Sequence, residues 1–202
     1  MSEQRAFSSK RAGPGTAAEF REVVLDYVSG AKDDETVAWL SSRIGTESSV
    51  LSQASGKKIF RGIACYEEKL LEISGYQDWD MEANQRIASR LLHSAEFAPN
   101  TGGNFGICST STVKDIANLF AESRHEDHSY DGTASRKVVL NISIDGSNPP
   151  KGYVLDQNAP FGDDQVSLHE IQLSKHNTYR ITGMNLSGPS DVSEIFILAT
   201  AS

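Results

Sequence analysis

The sequence is poor in cysteine and in basic residues, and each shortage argues against a class of structure or of binding partner. Its 202 residues include two cysteines, too few for a disulfide scaffold, and the spacing of Cys65 and Cys108 matches no metal site. Lysine and arginine number 19 against 27 aspartates and glutamates, which leaves a net charge of −8. Nucleic acid and anionic membranes reward basic patches, so we expect neither as the main partner.

Long apolar runs are also missing. No run approaches the ~20 residues that a membrane-spanning helix needs, and residues 1–15 lack the apolar segment of a cleaved secretory signal. We therefore expect a soluble fold that, if it is exported, uses a route without a cleaved signal. Cys65 and Cys108 stand close to isoleucines, and we expect both to be buried free thiols.

The chain divides into a leader and one domain. Residues 1–15 are rich in serine, glycine and charge and end in Gly-Pro-Gly, which predicts a flexible leader. Residues 16–202 are predicted to form a single domain, with a helical lobe over 16–50 and a core over 58–200. Helical spacing in the lobe should turn Leu40 and Ile44 inward.

Within the core, helices precede most of the strands. Helices are predicted at 67–73, 81–97 and 113–120, the last with Ala117 and Phe120 in its apolar stripe, and a mobile polar loop is predicted at 123–135. From residue 138 onward the pattern is that of strands separated by turns. This order indicates an α+β fold rather than a parallel, doubly wound sheet.

Three polar features interrupt apolar segments of the core. Arg61 stands between apolar residues of a predicted strand, and Ser109-Thr110-Ser111 lies where a strand passes into a helix. Glu170 begins an otherwise apolar strand directly after an acidic loop. An ion pair, a helix cap and a charge at a hairpin edge would also account for these three features one by one.

Together the three features resemble the Arg, Ser-Thr-Ser and Glu signature of mono-ADP-ribosyltransferase toxins and effectors. Ile59-Phe60-Arg61-Gly62 resembles the first motif of that family, Ile107-Cys108-Ser109-Thr110-Ser111 the second, and Glu170-Ile171-Gln172-Leu173 before a hairpin the third. The match covers about residues 58–200. It implies two packed antiparallel β-sheets, an ADP-ribosyltransferase-like sandwich behind an N-terminal helical lobe, with NAD bound in the cleft between the sheets.

The resemblance implies that Glu170, Ser109 and Arg61 are catalytic and that NAD is the co-substrate. Cleavage of the nicotinamide–ribose bond develops positive charge on the ribose, which a carboxylate at Glu170 can stabilise. The planar guanidinium of Arg61 suits the NAD phosphates, and Ser109 would orient Glu170 or the ribose. The further residues expected to bind NAD are Gly62, Thr110, Ser111 and, as an aromatic support for nicotinamide, Tyr130.

The loop at 156–168 is expected to recognise the acceptor, because it immediately precedes Glu170 and combines an aromatic residue with acids and a glycine. Its candidate residues are Phe161, Asp164, Gln165 and Leu168. Members of the family that modify arginine carry Glu two residues before the catalytic glutamate, and several others carry Gln there. Leu168 occupies that position here, so arginine is disfavoured as the acceptor.

The function that follows from the resemblance is a toxin or effector that cleaves NAD and transfers ADP-ribose to a side chain of a host or competitor protein. It would act in the cytosol of the target cell, and an immunity protein or chaperone would be a further partner. Two alternatives are an NAD glycohydrolase and a module that binds NAD without turnover. No metal is expected, since His125 and His128 are best read as solvated residues of the polar loop.

Overall fold

The computed structural model describes residues 38–40, 42–44, 49–50, 56–75, 80–94, 96–97, 107–132, 134–154, 170–188 and 190–202. The predicted leader, most of the helical lobe and the acceptor loop at 156–168 lie outside these residues. In the part of the lobe that is described, residues 38–40 and 42–44 are helical. Leu40 and Ile44 are buried there, as their spacing predicts.

Helices and strands alternate irregularly along the described chain. The helices are α1 (Glu67–Ser74), α2 (Met81–His93) and α3 (Lys114–Asp131). The strands are β1 (Ser49–Val50), β2 (Lys58–Tyr66), β3 (Ile107–Ser111), β4 (Ser135–Ile144), β5 (Lys151–Val154), β6 (Glu170–Ser174), β7 (Thr178–Asn185) and β8 (Ser193–Thr200). The α+β class predicted from the sequence is confirmed.

The arrangement of the sheet differs from the predicted pair of antiparallel sheets. Hydrogen bonds connect the described strands into one sheet in the order β1-β5-β6-β3-β2-β4-β8-β7. Within it β4 and β8 run parallel, while the other neighbouring strands run antiparallel. The strands β2 and β3 are paired at Phe60 and Ser111 alone among the described residues. Two four-stranded halves therefore meet at one paired position, a connection that strand periodicity does not specify.

One apolar core joins the two halves. Ile59 and Ile63 of β2 belong to the same buried cluster as Cys108 of β3 and as Ile171 and Leu173 of β6. Alternate residues of a strand point to opposite faces, so these side chains define the core face of their strands. The opposite face of β2 packs against α3 through a second, smaller cluster formed by Ala117, Ala121 and Val139.

The helix α3 is longer than predicted and packs through smaller residues. It continues to Asp131 and so includes most of the segment that the sequence predicts as a polar loop. Its buried positions include Ala117 and Ala121, whereas Phe120 is 43% exposed and is not part of the inward stripe. The close approach of α3 to Gly62 explains why the buried residues of α3 are alanines, because only small side chains fit between a helix and a strand in such close contact. Polar residues continue the helix once its first turns are packed.

The predicted helix at 81–97 ends earlier, at His93. It begins after Asp80, whose carboxylate accepts a hydrogen bond of 2.7 Å from the Ala83 amide. The Asn84 side chain then pairs with both backbone groups of Ile181, at 3.0 Å and 2.7 Å, which attaches α2 to β7. No helix among the described residues is long and apolar enough to cross a membrane.

Candidate active site

The order of the strands brings the three sequence motifs together. Arg61 lies on β2, the Ser-Thr-Ser run on β3 and Glu170 at the start of β6, and these strands are consecutive in the sheet. The run on β3 is therefore flanked by the arginine strand on one side and the glutamate strand on the other. The prediction that the motifs lie on three strands of one core is consistent with this order.

Arg61 is a buried cation at the junction of the two halves. It is 7% exposed and follows Phe60, the residue of β2 that pairs with β3. Its Nη1 donates a hydrogen bond of 2.9 Å to the backbone carbonyl of Ser109. A backbone carbonyl needs another donor where the hydrogen bonds between two strands end. The Arg61 guanidinium is that donor for the Ser109 carbonyl. The contact is to the backbone of Ser109 and not to its hydroxyl.

The Ser-Thr-Ser run divides between two faces of β3. The Thr110 hydroxyl donates 2.8 Å to the Ile171 carbonyl, and Thr110 is 3% exposed on the core face with Cys108. The Ser111 hydroxyl accepts 3.1 Å from the Val113 amide, where the chain turns into α3. Both side chains thus hold the strand and the turn that follows it. Their predicted contact with NAD stays a prediction.

The register of β3 and β6 places Glu170 beside the serines. Ser111 pairs with Glu170, and Ser109 pairs with Gln172. Directly paired positions lie on the same face with neighbouring Cβ atoms, and diagonal positions are within reach of long side chains. Glu170 is thus opposite one serine and diagonal to the other. Because Ser111 also pairs with Phe60, these positions lie on the same face of the sheet as Phe60. Arg61, the next residue of β2, lies on the opposite face.

Gln172 is a residue of this site that the sequence reasoning did not single out. It is fully buried, its Nε2 lies 2.8 Å from the Ser109 hydroxyl oxygen, and its Oε1 lies 3.1 Å from the same atom. The available signal was the alternation of Glu170, Gln172 and Ser174 with apolar Ile171 and Leu173. That pattern predicts a strand with a polar face, and on that face Gln172 and Ser174 are buried.

Two further predicted residues have different surroundings from those expected. A Cβ atom at Gly62 would lie 1.8 Å from the backbone oxygen of Ala117, so the structure gives Gly62 a part in helix packing. Tyr130 belongs to the last turn of α3 and not to a loop. The backbone of Tyr130 is described and its side chain is not, so its support for nicotinamide stays a prediction. Phe161, Asp164, Gln165 and Leu168 lie outside the described residues.

An ion pair attaches the helix that follows the serines to the sheet. Lys114, the first residue of α3, donates a hydrogen bond to the carboxylate of Glu194 on β8, which also accepts 3.2 Å from Asn141. The hydrogen bond from Lys114, and to a smaller extent the one from Asn141, lowers the pKa of Glu194 below its ordinary value. Burial raises the pKa of the Cys65 thiol to about 12.

Comparison with known proteins finds likeness in structure and not in sequence. No protein-family model matches the chain, and no curated protein sequence matches it significantly. It is similar to the Vis toxin, an ADP-ribosyltransferase from Vibrio splendidus, with 14% identity and a TM-score of 0.47 over 92% of this chain and 74% of that one. It is similar to C3stau2 from S. aureus, solved with NAD, with 14% identity and a TM-score of 0.45 over 93% and 89%.

A third similar structure is the C3larvin toxin, an ADP-ribosyltransferase from Paenibacillus larvae, with 14% identity and a TM-score of 0.43 over 92% of this chain and 88% of that one.

Proposed function

We propose that this chain is a mono-ADP-ribosyltransferase toxin or effector that cleaves NAD and transfers ADP-ribose to a side chain of a target protein. The observation that carries the proposal is the strand order β6-β3-β2, with Glu170 in register with Ser111 and Arg61 bonded to the strand of Ser109. Three motifs separated by up to about a hundred residues of sequence thus converge on one junction.

The residues at this junction fit the chemistry of a dinucleotide. Arg61 has a planar guanidinium with five N–H donors, enough to bond a strand carbonyl and phosphate oxygens together. In the described chain β2 and β3 are paired at a single position, next to Arg61, and the proposed ligand site lies where this pairing ends. A hydroxyl at Ser109 and a carboxylate at Glu170 supply the groups that a ribose requires.

NAD supplies an activated bond between nicotinamide and ribose, and the electrons of that bond leave with the nicotinamide nitrogen. Glu170 stabilises the positive charge that develops on the ribose, by accepting a hydrogen bond from the 2′-hydroxyl. Ser109 orients that carboxylate or the ribose, and Arg61 holds the phosphates. The acceptor then forms the new bond to the ribose carbon and loses a proton. Water as the acceptor gives the glycohydrolase reaction.

The acceptor is proposed to be a side chain other than arginine. Leu168 occupies the position at which arginine-modifying members of the resembled family carry Glu, and an apolar side chain cannot activate a guanidinium. The loop residues Phe161, Asp164 and Gln165 are proposed to contact the target protein. The proposed setting is the cytosol of a target cell.

The test is incubation of the purified chain with labelled NAD and a bacterial or eukaryotic lysate, followed by separation of labelled protein from free ADP-ribose. Labelled protein supports the transferase, and free ADP-ribose alone supports the glycohydrolase. NAD binding without either product supports a binding module and refutes an enzyme. Agmatine, an arginine mimic, should be a poor acceptor, and its rapid modification would overturn the assignment of the acceptor.

The Glu170→Ala variant tests the centre of the mechanism. It should lower turnover by roughly two to four powers of ten and largely spare NAD binding, because the carboxylate acts mainly in the transition state. Glu68→Ala is the matched control, since Glu68 is an exposed carboxylate on α1. Turnover close to wild type in Glu170→Ala would remove Glu170 from the catalytic role.

A further inference from the structure

Two large apolar side chains are exposed next to each other on α3. Leu119 is 65% exposed and Phe120 is 43% exposed. Half-buried Ile116 lies three and four residues before them, which places the three side chains on one side of the helix. Ala117 and Ala121, on another side, pack against the sheet. A contiguous group of exposed apolar residues is typical of an interaction surface. We call Ile116, Leu119 and Phe120 the α3 stripe, and the proposed catalytic residues do not include them.

Carboxylates border the α3 stripe. Asp115 lies about one turn before Leu119, Glu122 lies about one turn after it, and Asp127 lies two turns after Phe120. The three carboxylate side chains are exposed, and in the part of the chain that the structure describes none of them forms a salt bridge. The surface therefore combines apolar contact area with negative charge that has no counter-ion in its own chain.

The cations of α3 compensate little of this charge. Lys114 forms its ion pair with Glu194 of β8, and Arg124, one turn after Phe120, is half-buried. The whole chain also carries a net charge of −8, so this surface repels nucleic acid and anionic membranes. A second copy of the chain, related by a two-fold axis, would bring the same carboxylates together. A basic protein partner is the one that is complementary in charge.

We propose that the α3 stripe docks a basic amphipathic helix of a partner protein. Apolar side chains of the partner cover Leu119 and Phe120, and its lysines and arginines contact Asp115 and Glu122. From Asp115 to Asp127 the surface extends over about 18 Å of helix axis, which matches about three turns of a partner helix that lies alongside. Apolar anchors at spacings of three and four residues are the usual contacts of such a helix. The inference does not depend on NAD cleavage.

The test measures fluorescence anisotropy of a labelled 18-residue peptide of leucine and lysine, with the leucines at spacings of three and four residues so that they form one face of a helix. The wild-type chain should bind it saturably. Leu119→Ser should weaken binding about tenfold or more, because an exposed apolar anchor is lost. The double variant Asp115→Asn/Glu122→Gln should bind more weakly at low salt and show a smaller salt dependence.

Two controls separate the α3 stripe from general attraction between an acidic protein and a basic peptide. A peptide of the same composition in shuffled order keeps its charge and should bind at least about tenfold more weakly, because its leucines no longer share one face. Leu71→Ser should leave the affinity unchanged. Leu71 is also an exposed leucine on a helix with acidic residues, 54% exposed on α1.

Two further measurements show whether the bound peptide covers α3 and whether the variant is folded. Amide hydrogen exchange should slow in residues 115–127 when the peptide saturates the protein. The melting temperature of Leu119→Ser should stay close to that of the wild type, since the side chain is mostly exposed. Loss of binding in that variant then reports loss of the contact and not loss of the fold.

Several results would overturn the inference. These are no binding of the ordered peptide by the wild type, equal affinity for the ordered and the shuffled peptide, or unchanged affinity in Leu119→Ser. Dimers in light scattering that Leu119→Ser abolishes would assign the stripe to a second copy. Binding to vesicles of anionic lipid that the same variant abolishes would assign it to a membrane. Absence of NAD cleavage would refute the proposed function and leave this inference standing.

Discussion

Replacement of Gly62 by alanine should destabilise the protein, because the helix α3 occupies the space that a side chain would need. A Cβ atom at Gly62 would lie 1.8 Å from the Ala117 oxygen and 2.6 Å from the Ala121 nitrogen. An ordinary carbon–oxygen contact is about 3.3 Å, so α3 or β2 must move by about 1.5 Å. The obstacle is helix backbone, which cannot rotate away as a side chain can.

The magnitude follows from the cost of overpacking. Extra carbon atoms in a packed core cost about 1–3 kcal/mol, and contact with backbone places Gly62→Ala near 3 kcal/mol. In a domain of this size, each kcal/mol lowers the melting temperature by about 2–4 °C, so a decrease of about 6–12 °C is expected. The measurement is thermal unfolding followed by circular dichroism.

Gly183→Ala is the control for this prediction. Gly183 is also a strand glycine, but a Cβ atom there would meet its nearest neighbour, Phe196, at 3.7 Å. That distance is ordinary van der Waals contact, and the melting temperature should stay close to that of the wild type. A wild-type melting temperature in Gly62→Ala would refute the packing argument. Weaker NAD binding at unchanged stability would instead support the sequence prediction that Gly62 contacts NAD.

Three further predictions follow from buried or paired groups. Arg61→Lys keeps the charge but loses the planar guanidinium, so NAD affinity and turnover should fall together by about tenfold or more; unchanged affinity in calorimetry with a lower melting temperature would make Arg61 structural. Because the hydrogen bond from Lys114 lowers the pKa of Glu194 below its ordinary value, their pairing stabilises the fold at neutral pH and weakens as acid protonates the carboxylate. Lys114→Met should therefore cost less than about 1 kcal/mol in urea unfolding at pH 7 and progressively less as the pH falls through the lowered pKa of Glu194, and a cost independent of pH would contradict this. Cys65 and Cys108 are fully buried and the pKa of Cys65 is about 12, so iodoacetamide should label neither before unfolding and both after it; rapid labelling of the native chain would show that the core is open.

The sequence alone determined the elements whose signal is local. The strands at Arg61 and Glu170 and the turn after Ser111 were recognisable from alternation and from hydroxyl residues at a strand end, because these patterns depend on neighbours within a few residues. The α+β class followed from the order of those elements along the chain. Leu40 and Ile44 were recognised as inward-facing for the same reason, since helical spacing is a property of one segment.

Only the tertiary structure decided which segments are neighbours. Residue periodicity does not determine pairing partners, so the parallel contact of β4 with β8 and the single paired position between β2 and β3 could not be read from it. The polar second half of α3 shows no apolar stripe in the sequence, and it continues a helix whose first half packs against Gly62. Gln172 looked like one polar residue of an alternating strand. The register of β3 with β6 places it against Ser109, because a hydrogen bond between residues 63 positions apart is decided by the fold and not by local sequence.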